Sequence, residues 1–452
     1  MQHADQPRSS QLAPGLASQA QNSSFPSPLP PLLEQIRWRI LALLFLVTVM
    51  NFVDRQSLSV VAPLLTQSLG LSNSDYGHIV AAFQAGMMLG EFPMGILMDR
   101  KGVRWGLSFA VLWWSLANAL HAFATFKWQF MALRFWLGSG ECGNYSGGNK
   151  VVSEWFPVKE RALAVGIFNS GSMVGSVVAQ PLLAFLILTL GWQSAFLAPS
   201  MVGALWVLFW WRNYREPADH PRLSSAERQY IFGDQPLGLA PPARNWDLLR
   251  FRQTWGLMLC RMLVGPVVQF YIYWLPLYLF RVHHFDLKQI GMFAWLPWLF
   301  GDLGSIGGGW VAGLLLRRGC SLTATRRITM MIGAALCLGS LAVATSSSPS
   351  TALGWICAVL FGHTFLSANM FATISDTFPQ NAVGRVTALT GIAGGLSGMG
   401  FPVLAGKLID RISYEPVFVL AALMPALGCL ILFVLLGPIR PIALPAGKPH
   451  AS

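Results

Sequence analysis

The chain has 452 residues, of which 54% are hydrophobic and only 11% charged. A soluble chain needs about 25% charged residues to cover its surface, so lipid must solvate most of this one and a water-soluble globular protein is excluded. The net charge of +12 does not indicate nucleic acid, because the basic residues fall in short loops between apolar runs, the topology signal of a membrane protein.

Residues 1–33 are rich in Ser, Gln, Pro and Ala without an apolar core, which predicts a disordered tail rather than a signal peptide. Apolar runs of about 20 residues, the length that crosses a bilayer, then follow at 38–66, 78–98, 105–125, 128–150, 162–190 and 192–211. A polar segment at 212–253 holds seven Arg. Six more runs follow at 254–280, 289–316, 327–346, 351–375, 383–409 and 415–437, with a short tail at 438–452. Arg and Lys gather after spans two, four, eight and ten and in the central segment, while 67–77 has none. By the positive-inside bias both termini and the central loop are cytoplasmic. The six cysteines show no CxxC or His-spaced pattern and read as small core residues, so neither a metal nor a cofactor is expected.

The halves repeat. Ser153-Glu154-Trp155-Phe156-Pro157 returns as Ser375-Asp376-Thr377-Phe378-Pro379, 222 residues later, and Trp192 to Phe196 stand at the same offset from Tyr414 to Phe418. The expected fold is therefore an all-α membrane protein, with twelve transmembrane helices in two pseudo-symmetric six-helix bundles at 34–211 and 254–437. Such repeats bind a substrate at midplane and alternate its access by rocking.

Charged residues inside the spans mark the chemistry. Between Ile40 and Leu65 the only charges are Asp54 and Arg55; a charge near the bilayer centre costs at least ~2.5–3.5 kcal/mol and is rarely kept without a task. Arg55 carries a planar fork suited to a carboxylate, which makes it the candidate anchor for an anionic substrate. Asp54 and Glu141 are carboxyls in low dielectric, suited to binding and releasing protons. Arg134 lies two helical turns before Glu141 on roughly the same face, where it can hold that Glu ionised. Gln84, Asn169, Tyr271, Tyr273 and Trp274 are candidates to contact sugar hydroxyls, each weighed against a helix–helix hydrogen bond or a core aromatic. Arg261 reads as an interfacial snorkelling cation, His121 and His363 as packed histidines, Glu91 as part of the network beside Asp99, and Asp302 as an intramembrane acid of open role.

After span two stands Gly95-Ile-Leu-Met-Asp99-Arg100-Lys-Gly102-Val-Arg104, which resembles the G-x-x-x-D-[R/K]-x-G-x-[R/K] gating signature of the major facilitator superfamily. The corresponding place after span eight has Arg317 where an acid is expected. Within that superfamily Asn51-Phe-Val-Asp54-Arg55 is similar to the N-Y-x-D-R segment of anion:cation symporters. Arg134 with Glu141, Ile167 to Gly171, Phe293 to Trp310 and Ser367 to Asp376 extend the likeness over nearly the whole chain after the tail. Gly304 to Trp310 and Ala393-Gly-Gly395 are most similar to the hexuronate and sugar-acid proton symporters, and the resemblance implies substrate contacts at Asn369 and Phe371. The chain departs from that pattern on span seven, with Val264-Gly265-Pro266 for Thr-Asp-Pro and Leu277 for a Lys.

No hydrolase, metalloprotease or P-loop motif is present, so neither an enzyme nor an ATP-driven pump is expected. An uncoupled facilitator for another small carboxylate needs no titratable pair at midplane. An efflux antiporter is expected to show Gly-Pro on span five, where only Gln180-Pro181 occurs. The reading that remains is a proton-coupled symporter importing a sugar acid such as a hexuronate or aldonate. Its expected setting is a bacterial inner membrane, its partners the organic anion, H⁺ and the lipid bilayer, and its default state a monomer.

Overall fold

The computed structural model describes residues 31, 35–233 and 245–442. Most of the expected tails, at 1–30, 32–34 and 443–452, therefore lies outside the described residues. The helices of the first half are α1 (Ile36–Ser68), α2 (Asn73–Leu120), α3 (Lys127–Glu141), α4 (Gly143–Trp155), α5 (Val158–Leu190) and α6 (Ser194–Asn213). Two short helices, α7 (Ser225–Phe232) and α8 (Asn245–Leu248), lie in the central segment. The second half holds α9 (Arg252–His283), α10 (Leu287–Phe293), α11 (Leu296–Arg317), α12 (Leu322–Cys337), α13 (Ser340–Thr345), α14 (Pro349–Thr377), α15 (Gln380–Arg411) and α16 (Glu415–Leu436).

Twelve spans emerge once the breaks are read physically. At 1.5 Å per residue the 48 residues of α2 extend about 72 Å, more than twice the hydrocarbon thickness. The helix turns back at Gly102, where φ is 75° and ψ 162°, a conformation only glycine adopts without strain. Spans two and three are thus the two limbs of α2. The fourth span is broken within Gly138-Ser-Gly-Glu-Cys-Gly143, between α3 and α4. The eighth is broken before Pro297, which opens α11 without a backbone donor.

The central segment is not wholly irregular. Buried Glu227 of α7 accepts hydrogen bonds from the Ile36 and Arg37 backbone nitrogens at 3.2 and 3.1 Å, filling orphan donors at the start of α1. Arg37, also buried, pairs with Glu160 at 3.2 Å. The segment is thereby tied to the first bundle.

The seam between the bundles runs along the first limb of α2 and α15. It is tight on the face opposite the central segment, where Gly77 admits no methyl against the Pro402 carbonyl, nor Gly406 against Asn73. Asp410, at the end of α15, accepts from the Asn73 backbone and side-chain nitrogens at 2.9 and 2.8 Å and from the Ser74 nitrogen at 2.7 Å. It thus caps the first turn of α2 from the other bundle. Arg281 joins by donating to Asn73 Oδ1 at 2.6 Å. Toward the central-segment face, a methyl at Gly95, Gly384 or Gly391 would meet nothing within 4 Å.

Candidate functional site

Glycines on facing helices draw four spans together in two pairs at the middle of the first bundle. A methyl on Gly138 of α3 would strike the Phe83 carbonyl of α2, and one on Gly86 the Phe135 carbonyl of α3. Gly171 and Gly175 of α5 let the Phe45 and Val49 carbonyls of α1 approach in the same way. Close backbones of this kind are how membrane helices pack when lipid offers no hydrophobic drive. The result places Glu141 beside Arg55.

Arg55 donates from Nε and Nη2 to Glu141 Oε2, both at 3.0 Å, and from Nη2 to Asn51 Oδ1 at 3.3 Å. Its guanidinium lies 4.5 Å from the Phe52 ring and 5.3 Å from that of Phe83. Glu141 is fully buried, while 13% of the Arg55 side chain remains exposed. Asp54, although adjacent in sequence, faces another way: its Oδ1 accepts from Asn118 Nδ2 at 2.7 Å, and its buried Oδ2 has no partner. Arg134 is buried and donates from Nη1 to the Arg55 carbonyl at 3.3 Å, with Nε and Nη2 unpartnered. The expected pairing of Arg134 with Glu141 is therefore replaced, in this conformation, by Arg55 with Glu141. Helical side chains lean toward their own N-terminus, which carries Arg134 away from a residue seven positions later.

These four groups balance. With both carboxyls ionised, two cations face two anions. An incoming monoanion leaves one negative charge uncompensated unless a proton enters with it. A proton on Glu141 also weakens its hold on Arg55, freeing the guanidinium for another carboxylate.

The remaining candidates divide. Gln84 donates to Gln269 Oε1 at 2.6 Å across the seam, and Trp274 sets its ring against Tyr76 of the other bundle at 5.1 Å. Phe371 is 40% exposed and lines an inter-bundle cavity. Asn169 lies half-buried on α5, its carbonyl accepting from Ser172 Oγ at 2.6 Å. Two candidates point elsewhere. Tyr271 shares a hydrogen bond with Ser340 at 2.9 Å within an aromatic cluster with Phe270 and Phe418. Asn369 accepts from Arg326 at 2.9 Å and donates to the Gly308 and Phe365 carbonyls, so it ties helices together instead of facing the cavity. Arg261 is also corrected, from a snorkelling position to an inward one: its guanidinium lies 5.1 Å from the Phe371 ring and its side chain flanks Gly394 of α15.

In the turn of α2, Asp99 accepts from Lys150 Nζ of α4 at 2.8 Å, and Arg104 donates to the Trp211 carbonyl at 2.6 Å while stacking on that ring. Gly102 makes the turn; Gly95 has open space beside it; and Arg100 is exposed. His121 and His363 are buried and bonded to the Ala117 and Val264 carbonyls. Reading the sequence missed Asn118 as the partner of Asp54 and Asp410 as a cap across the seam. An isolated amide inside Val-Leu-Trp-Trp-Ser-Leu-Ala-Asn118 was the available signal for the first.

The chain is similar to known proteins. The Major Facilitator Superfamily model matches residues 44–402 and 324–451. A hexuronate transporter of Escherichia coli (strain K12) is 34% identical over 408 residues, 89% of this chain and 94% of its own. A galacturonate transporter of Dickeya chrysanthemi is 35% identical over 324 residues, 70% of this chain and 94% of its own. A bacterial homologue of the human lysosomal transporter Spinster, solved in an inward-facing, unoccupied conformation, superposes with a TM-score of 0.73 at 19% identity. That match covers 89% of this chain and 98% of the other.

Proposed function

Because this chain belongs to the major facilitator superfamily, we propose that it imports a sugar acid, a hexuronate or an aldonate, together with a proton by alternating access. It is a multi-pass membrane transporter and not an enzyme. The bundles are assigned to 34–211 and 254–437, joined by a cytoplasmic loop at 212–253. Both termini are cytoplasmic and the membrane is the bacterial inner one. The seam closed at Asp410 is then the periplasmic gate, and the conformation opens inward.

One observation carries the coupling. Arg55, the group best shaped to hold a carboxylate, is held instead by Glu141 through two 3.0 Å hydrogen bonds. Substrate carboxylate and Glu141 carboxylate compete for one guanidinium, and a proton decides between them. Linkage then requires proton and anion to raise each other's affinity by the same factor. Asp54, which makes no ion pair among the described residues, is the second carboxyl able to carry a proton, and Asn118 orients it. Arg134 holds the backbone of Arg55 in place. The closeness of this chain to transporters of hexuronate and galacturonate supports the substrate class.

The test is uptake into proteoliposomes of galacturonate, glucuronate, galactonate and a simple dicarboxylate, each with and without an inward pH gradient. Accumulation of a sugar acid that collapses with the gradient is expected. Uptake that only equilibrates, gradient or not, refutes coupling; uptake of none of the sugar acids refutes the substrate class.

A further inference from the structure

A cavity of about 290 Å³ lies between the bundles, near the lower end of the range that takes small molecules. Phe52 of α1 forms one wall, and the same ring carries the Arg55 guanidinium, so the cavity adjoins the proposed anion anchor. The far wall is polar. Asp302 and Ser305, one helical turn apart on α11, line it together with Ser367 of α14. Asp302 makes no ion pair or hydrogen bond among the described residues, and Ser367 Oγ is buried without a partner. Thr364, by contrast, already donates to the Gly301 carbonyl. Among the described residues that line the cavity there is no Lys, Arg or His.

A buried polar atom is nearly always satisfied, so the Ser367 hydroxyl, with the half-buried, unpaired carboxyl of Asp302 on the same wall, calls for a ligand that brings its own partners. An ionised carboxylate only accepts; a serine hydroxyl donates and accepts. A chain of hydroxyls complements both. A second carboxylate does not, since it offers only acceptors and meets a like charge with no cation among the lining residues to offset it.

We propose that Asp302 is a specificity-determining residue: with Ser305 and Ser367 it receives the hydroxyl tail of a sugar monoacid anchored at Arg55, and it excludes acids bearing a second carboxylate at that end. This rests on the sugar-acid reading above. Repulsion at the wrong end discriminates as effectively as attraction at the right one.

Galactonate and galactarate test it, because they share a carbon chain and differ only in a terminal CH₂OH against a carboxylate. Equilibrium binding to the purified protein at one alkaline pH, which keeps Asp302 ionised, is the measurement. The wild type is expected to bind galactonate more tightly by about tenfold or more, the scale of one like-charge contact screened nearly as in water. Asp302→Asn should weaken galactonate only a few-fold while bringing the two affinities close together. Ser367→Ala, which removes a hydroxyl but no charge, should weaken galactonate and leave galactarate excluded. A wild type that binds both acids equally overturns the proposal without any variant. So does an Asp302→Asn protein whose affinity ratio is unchanged. A wild type that binds neither these acids nor a hexuronate overturns the sugar-acid reading and this proposal together.

Discussion

Asp410→Asn should open the seam that Asp410 closes. Its carboxylate takes three hydrogen bonds from the first turn of α2, at 2.7 to 2.9 Å, all of them across the two bundles. Hydrogen bonds to a charged group contribute roughly 1.5–3 kcal/mol each when shielded. Asp410 stands at an exposed position, so solvent screening reduces this to a total of about 1–2 kcal/mol. Asparagine keeps one acceptor oxygen but loses the charge that faces the helix N-terminus. Since 1.4 kcal/mol is a factor of about ten, the balance between closed and open seam should move by about five- to thirty-fold toward open. Spin labels at Ser68→Cys and Ile412→Cys, in a Cys320→Ser background, span the seam on this face and report the two populations as separate distances. Asp75→Asn serves as the control: Asp75 pairs with Lys127 at 3.0 Å inside one bundle and should leave the distances alone. If Asp410→Asn gives the wild-type distance distribution, the cross-bundle cap contributes nothing to the gate.

Four further outcomes are expected. Arg55→Lys should impair uptake almost as severely as Arg55→Ala, because an ammonium keeps the charge but not the two-pronged geometry; near-normal uptake by the Lys variant would remove Arg55 as the anchor. Glu141→Gln should abolish pH-driven accumulation yet preserve counterflow exchange, and sugar-acid affinity, expected to rise on acidification in the wild type, should become flatter with pH; wild-type accumulation by this variant would take Glu141 out of the coupling. Gly138→Ala should push α3 off the Phe83 carbonyl, separate Glu141 from Arg55 and lower transport while the protein still inserts; unimpaired uptake would show that the close approach is dispensable. Glu227→Ala leaves buried Arg37 with weakened compensation and two α1 donors unpaired, a loss of about 2–4 kcal/mol to be read as a lowered thermal midpoint in detergent, and an unchanged midpoint would count against the tie.

The sequence alone determined what each local segment had to be. Spans of about 20 apolar residues cannot dissolve in water, and a fixed 222-residue offset relates the two halves of the chain. The break between spans two and three was legible from its charges, whereas the turn at Gly102 rests on backbone angles that only the structure shows. The charged residues inside the spans, Asp54, Arg55, Arg134 and Glu141, also stood out, because charge in an apolar run is rarely kept without a task. Their partners did not. Adjacent residues on a helix point about 100° apart, so Asp54 and Arg55 part company, one to Asn118 and the other to Glu141, 64 and 86 positions away. The inward turn of Arg261, the withdrawal of Tyr271 and Asn369 into packed helix contacts, and the grouping of Asp302 with Ser305 and Ser367 likewise depend on which helix lies alongside. Hydrophobicity is a property of each segment and survives in the sequence. A hydrogen bond belongs to two segments at once, and only the glycine-spaced packing of the bundles chose which donors and acceptors would meet.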